Sequence, residues 1–184
     1  MIKPTGRCGT AGDSANMLAA FLTLVGTVLL MPATAAPSPI KLAVFDFELE
    51  DTSAGASVTG GSESDDAKLA ALTTEVRQLL AKSGRYRVIS IGSADAAVAP
   101  AHTLHDCGGC DAPVALKLGA EQSFVGVVRR VSRTEYTVRF QIRDARSGAV
   151  VSAGDSGLRM GADYAWGRGA VRLVKDRLLE VPSP

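Results

Sequence analysis

The stretch 121–151, EQSFVGVVRRVSRTEYTVRFQIRDARSGAVV, decides how the chain folds. In its middle Tyr136, Val138, Phe140 and Ile142 alternate with Thr137, Arg139, Gln141 and Arg143. A period of two puts the first set on one face of a strand and the second on the other, so one face meets a core and the other meets water. Upstream, EQSFVGVVRRVS reads as a strand of its own. Downstream, the Ser-Gly turn of DARSGAVV sends the chain back as a hairpin into a further strand. Three consecutive strands joined this way form an antiparallel meander.

Working outward toward the N-terminus, DAPVALKLGA reads as a helix, with Asp111 as N-cap, Pro113 in the first turn and Gly119 at its end. SADAAVAPA is a brief helical turn broken by Pro100, and RYRVISI is a short strand. Leu69, Leu72, Val76, Leu79 and Leu80 recur at helical spacing, with Gly84 as the stop signal. IKLAVFDFELE opens with the dense apolar run of a strand buried on both faces. Between it and the helix, DTSAGASVTGGSESDD has no periodicity and reads as a long loop, reaching over 48–66 in all. Beyond the meander, ADYAWGRGAVRLVKDRLLE is a helix that turns Trp166, Ala170, Leu173 and Val174 to the core and is weakened by Gly167 and Gly169. The order β-α-β-α-β-β-β-α predicts an α/β domain with a mixed five-stranded sheet covered by helices.

The first 36 residues stand apart. Lys3 and Arg7 precede the apolar run Met17 to Met31, and Ala33-x-Ala35 supplies a small-residue cleavage pattern. Fifteen residues fall short of the roughly 20 that span a bilayer. Residues 1–36 are therefore expected to be a signal peptide cut after Ala35 or Ala36, leaving 37–184 as a single periplasmic domain without a membrane span. Cys8 lies before the apolar run and leaves with it. Removal also takes Lys3, Arg7 and Asp13, so eighteen basic and eighteen acidic residues remain. A neutral chain gives no electrostatic reason to expect nucleic acid or an anionic membrane surface as partner.

KLAVFDFELEDTSAG, LHDCGGC and the 118–151 segment together resemble a family of secreted bacterial proteins that carries an unknown-function label. The likeness runs from Ile40 to about Leu178, and LHDC-x-GC is its most specific element. More distantly, the AVFDF strand and the LGA…FVGVV step are similar to the TolB N-terminal domain and the CsgG periplasmic core. Those resemblances imply a TolB N-terminal-domain-like fold and an envelope assembly or interaction role, not catalysis. The propeller that follows in TolB and the lipid anchor of CsgG have no counterpart in this sequence.

The densest chemistry lies in AHTLHDCGGCDAP, which holds His102, His105, Cys107 and Cys110. An exported chain meets an oxidising compartment, so a Cys107–Cys110 disulfide is one reading. A second is a redox couple, since C-x-x-C at a helix start favours thiolate, although Asp106 and Asp111 beside the thiols oppose it. A third is a zinc or copper site that adds His102 and His105 to the two sulfurs. A c-type haem is excluded, because Asp111 follows Cys110 where the attachment motif needs His.

Glu48, Glu50 and Asp51 crowd the end of the first strand together with Asp46, where ligands gather in α/β sheets, but their spacing matches no calcium loop. Arg129, Arg139 and Arg143 can share a sheet face as an anion- or partner-binding surface, or simply face water. Tyr164 and Trp166 offer a partner hot spot or core packing. No nucleophile elbow and no phosphate loop occur, and two histidines in one segment give no catalytic set. The expectation is a non-enzymatic periplasmic accessory or protein-interaction module without a cofactor, contacting a protein partner through an exposed sheet edge or the 48–66 loop. A thiol-disulfide protein using Cys107 and Cys110, and a zinc- or copper-binding module, are the alternatives.

Overall fold

A computed structural model describes residues 38–54, 63–89, 91 and 103–180. The signal-peptide segment, the SADAAVAPA turn and His102 lie outside these residues. The strands are β1 (Ile40–Val44), β2 (Glu48–Asp51), β3 (Tyr86–Ile89), β4 (Gln122–Ser132), β5 (Glu135–Asp144), β6 (Val150–Asp155) and β7 (Arg159–Met160). The helices are α1 (Glu63–Lys82), α2 (Asp111–Lys117) and α3 (Trp166–Val174), the last entered from a short 3-10 turn and continued by a wider π turn over Lys175–Leu179.

The sheet is mixed. Its five-strand path runs β3-β1-β4-β5-β6, with β1 parallel to both β3 and β4, and β4, β5 and β6 antiparallel. These are the five strands the sequence predicts. Two short strands were not foreseen, β2 parallel to β4 and β7 antiparallel to β5, and they bring the sheet to seven. β2 takes up Glu48–Asp51 and α1 begins at Glu63, so neither end of the expected 48–66 loop is loop. The ladder to β4 uses the backbone groups of 48–51, and the acidic residues 63, 65 and 66 suit the first turn of a helix.

Strand alternation sorts the core into two layers. Leu42, Val44, Phe124, Val128, Tyr136, Val138, Phe140 and Ile142 point to one face, where α1 and α3 cover them with Leu72, Val76, Leu80, Trp166, Ala170 and Leu173. All are essentially removed from water, and each such Leu, Val or Phe contributes on the order of 1.5–3 kcal/mol of transfer free energy. Ala43, Phe45 and Val125 point to the opposite face, against Val114 and Ala115 of α2 and Leu104. That second layer is small and reaches only part of the sheet, so the faces are unequally covered.

A register change between β1 and β2 places the acidic residues. Val44 lies opposite Phe124 and Glu48 opposite Val127, so three residues of one strand face two of the other. The extra residue is a bulge that reverses the alternation. Phe45 faces the small layer, Phe47 returns to the large one beside Phe124, and Glu48 and Glu50 turn to the open face. α1 satisfies the backbone that leaves the ladder here: Thr73 Oγ1 accepts from Phe47 N at 2.9 Å, and Arg77 donates to the Val44 carbonyl at 2.6 and 3.1 Å.

Gly169, which weakens α3 by propensity, has a packing reason. A Cβ there would sit 2.7 Å from the Tyr136 hydroxyl, which donates to the Ala165 carbonyl at 3.0 Å.

Candidate functional site

The half of the sheet that helices leave open carries a groove of about 550 Å³. Val125 and Val127 form its apolar floor, Arg139, Gln141 and Arg143 rise from β5, Ala153 to Asp155 flank it from β6, and Leu104, His105, Gly109 and Asp111 make the opposite wall. The polar partners of the alternation that identified β5 are thus the lining of a cleft.

The wall is the segment just before α2, and three devices hold it. Glu48 accepts from the backbone N–H of Leu104 at 2.6 Å and of His105 at 3.0 Å, and its Oε2 lies 2.6 Å from His105 Nδ1. Cys107 and Cys110 are joined as a disulfide with Cα atoms 5.7 Å apart. Gly108 and Gly109 between them both have positive φ, 67° and 115°, a turn that side chains beyond glycine resist. Cys110 occupies the N-cap position of α2 and makes no side-chain cap. Asp111, expected as that cap, is the first helical residue and is buried in the wall. Its carboxylate accepts from the Ser123 hydroxyl and sits 3.5 Å from Arg143 Nε, a charge partner that outweighs a cap at a buried position.

The charged groups of the open face are mutually engaged. Arg129 and Arg139 converge on one carboxylate, Glu50, at 2.6 and 3.0 Å. The Arg129 hydrogen bond, assisted by Arg139 and opposed by partial burial, holds the Glu50 carboxyl below the usual glutamate range. Arg143 donates to the Gly148 carbonyl at 3.0 Å and to Gln141 Oε1 at 2.9 Å, so its planar fork is locked along β5. Asp51 faces the other way. It pairs with Arg130, which also meets Asp65 at 2.7 Å and stacks 5.0 Å from the Trp166 ring centre. Burial opposes ionisation of Asp51, and the Ser53 donors and Arg130 more than offset it, leaving its pKa lowered.

The structure therefore gathers Glu50, Arg129 and Arg139 at one end of the groove and His105, Glu48 and the disulfide at the other, and sends Asp51 to the helix-covered face. Sequence reasoning placed Gln141 on the face of Arg139 and Arg143 but missed Asp111, Ser123 and Arg130 as members of these clusters. One signal was available. Ile40, Leu42 and Val44 are apolar at even positions and Phe45, Phe47 and Leu49 at odd ones, which marks the bulge that swings Glu48 and Glu50 to the groove. Of the four metal candidates, His105 gives Nδ1 to Glu48 and Cys107 is bonded to Cys110. Among the described residues no three His, Cys, Asp or Glu side chains converge as a metal cage. Ser123 is fully buried with its hydroxyl spent on Asp111, and Trp166 is core while Tyr164 is exposed.

What fold and cleft define is a two-faced α/β domain: one sheet face sealed by helices, the other holding an ion-paired groove behind a stapled loop. The chain belongs to the DUF3280 family, described as protein of unknown function (DUF2380), whose pattern matches residues 40–178. No curated protein matches the sequence. Among solved structures it is similar to the LpoB C-terminal domain from Salmonella enterica, at 16% identity and a TM-score of 0.48 over 70% of this chain and 87% of that one. A PelC dodecamer from Paraburkholderia phytofirmans gives 20% identity and 0.44 over 77% and 86%. TolB from Acinetobacter baumannii gives 17% and 0.42 over 74% of this chain and 27% of that one.

Proposed function

We propose that this protein is a non-enzymatic interaction module of the bacterial envelope. On this reading residues 37–184 form a single periplasmic domain after cleavage near Ala35 or Ala36, and a protein partner docks in the open-face groove. One observation carries it: the groove offers shape and fixed hydrogen-bonding groups, while the side chains able to do chemistry there are occupied. Its arginines are engaged by Glu50 and Asp111, its histidine by Glu48, and its cysteines by each other. No helix of the described residues is long and apolar enough to cross a membrane.

The test is a photo-crosslinking amino acid at Gln141, in the groove, and at Arg172, exposed on α3, in cells that export the protein. A discrete protein adduct from position 141 alone is the expected result. Absence of any adduct at 141, or turnover of a substrate by the purified protein, overturns the reading.

A thiol-disulfide role has one specific observation in its favour: the Cys110 backbone N–H donates to Cys107 Sγ at 3.1 Å, a bond that would stabilise a Cys107 thiolate after reduction. Glutathione titration with alkylation and intact mass separates the two. A potential below about −300 mV marks a staple, and one near −200 to −120 mV an oxidoreductase.

A further inference from the structure

The two halves of the groove wall are held in different ways. Leu104 and His105 are tied to β2 through the Glu48 carboxylate. Residues 107–110 have no such tie. Among the described residues their hydrogen bonds stay within the loop and α2: Cys110 N–H points at Cys107 Sγ, the Leu104 carbonyl lies 3.1 Å from that same sulfur, and Ala112 N–H donates to the Gly109 carbonyl at 3.2 Å. The disulfide is what fixes this half. It closes over Gly108 and Gly109, both at positive φ, and glycine regains more backbone freedom than any other residue when a constraint is cut.

The same half touches the charged lining of the groove. A Cβ on Gly109 would lie 3.5 Å from the Arg143 guanidinium carbon, so the backbone of the turn rests against that side chain. Cys110 leads directly into Asp111, whose carboxylate sits 3.5 Å from Arg143 Nε. The pair is also prepared for the reduced state, since both cysteines are only partly buried. Reduced Cys107 has a carbonyl to donate to as a thiol and an N–H to accept from as a thiolate. Cys110 rests against the small apolar layer, where a free thiol packs as a small hydrophobe. Of the two acids beside the pair, Asp111 is engaged by Arg143 and Ser123, and Asp106 is exposed to water that screens it.

We propose that the oxidation state of Cys107 and Cys110 controls the groove. Oxidised, the wall is set against Arg143 and the partner docks. Reduced, 107–110 and the first turn of α2 loosen, Gly109 and Asp111 leave Arg143, and docking weakens. This regulation rests on the groove reading, and it differs from an oxidoreductase role because the pair receives electrons without passing them to a substrate. The donor is a dithiol. Its thiolate attacks Cys110 Sγ, the bond between the two sulfurs breaks, and the electron pair leaves on Cys107, where the Cys110 N–H already points. The second donor sulfur then displaces Cys110, so the donor ends as a disulfide and the two cysteines hold the two electrons and two protons it gave up.

The experiment uses dithiothreitol as the dithiol, on cells that export the protein with the photo-crosslinking residue at Gln141 and on the purified protein. Adduct yield at 141 is expected to fall by about fivefold or more on reduction, the low end of ordinary coupling between two sites, and to return on reoxidation. In the purified protein, amide exchange accelerates over 103–112 and stays slow in β4 and β5. A Cys107→Ser, Cys110→Ser variant behaves as the reduced protein and does not respond further to dithiothreitol, which separates this pair from any thiol on the partner. An adduct yield unchanged by reduction, a double variant that crosslinks as well as the native chain, or exchange over 103–112 that ignores reduction overturns the proposal. Absence of an adduct from the oxidised protein sinks the docking reading instead, and the exchange measurement still decides whether the wall answers to the disulfide.

Discussion

At the scale of single residues, Glu48 organises more than its surface position suggests. One carboxylate serves two backbone donors and an imidazole, and a bulge in the strand aims it there. Glu48→Ala leaves two part-buried N–H groups without acceptors, which costs about 1–3 kcal/mol. Urea unfolding measures that loss, and amide hydrogen exchange at Leu104 and His105 rises more than at core strands. The two helix glycines make a contrasting pair. Gly167→Ala places a Cβ 3.0 Å from the far end of the Glu75 side chain, which can move aside, so helix propensity wins and stability rises by up to about 1 kcal/mol. Gly169→Ala meets the packed Tyr136 ring and hydroxyl instead and costs about 1–3 kcal/mol. Thermal melts of the two variants should move in opposite directions.

Among the elements, the stapled loop before α2 is the weakest part of the groove, since a short helix and a small apolar layer are all that back it. A double Cys107→Ser, Cys110→Ser variant loses about 2 kcal/mol on the chain-entropy account of so short a ring. Its far-UV spectrum stays native while hydrogen exchange over 103–110 accelerates, because the large core on the other face is untouched. The meander, α1 and α3 were legible because their periodicities are long and their glycine stops well placed. β2 and β7 were not, since two to four residues cannot display a period, and β2 was masked by its acids. Those acids looked like loop because strict alternation from Val44 sends them into the core; only the bulge reconciles them with a strand. Groove membership was half legible: Arg139 and Arg143 followed from alternation, whereas Asp111 and Ser123 meet only through tertiary packing.

For the molecule as a whole, the carboxylates give stability a defined pH dependence. Glu50, Asp51 and Asp163 all have lowered pKa, the last through its hydrogen bond and ion pair with Lys68. A carboxyl whose folded pKa lies below its unfolded value stabilises the fold above the unfolded value and loses that contribution as pH falls through the folded one. The urea midpoint should be flat from pH 7 to about 5 and fall steadily below about pH 4. Glu50→Gln should flatten part of that fall. A midpoint that rises on acidification would contradict the assigned pairs.

The strand order also carries a consequence in time. β4, β5 and β6 are neighbours along the chain and need only tight turns to meet, whereas β1 joins β4 across some eighty residues, as Leu42 against Gln122. Closing so long a loop is entropically slow, so the meander is the part able to form first and β1 the part that completes the sheet. Substitutions in the Ser147–Gly148 turn should then slow refolding, and those in β1 should chiefly hasten unfolding. Until β1 arrives, the flank of β4 that it covers stays open, so the half-built sheet exposes a border that the finished sheet buries.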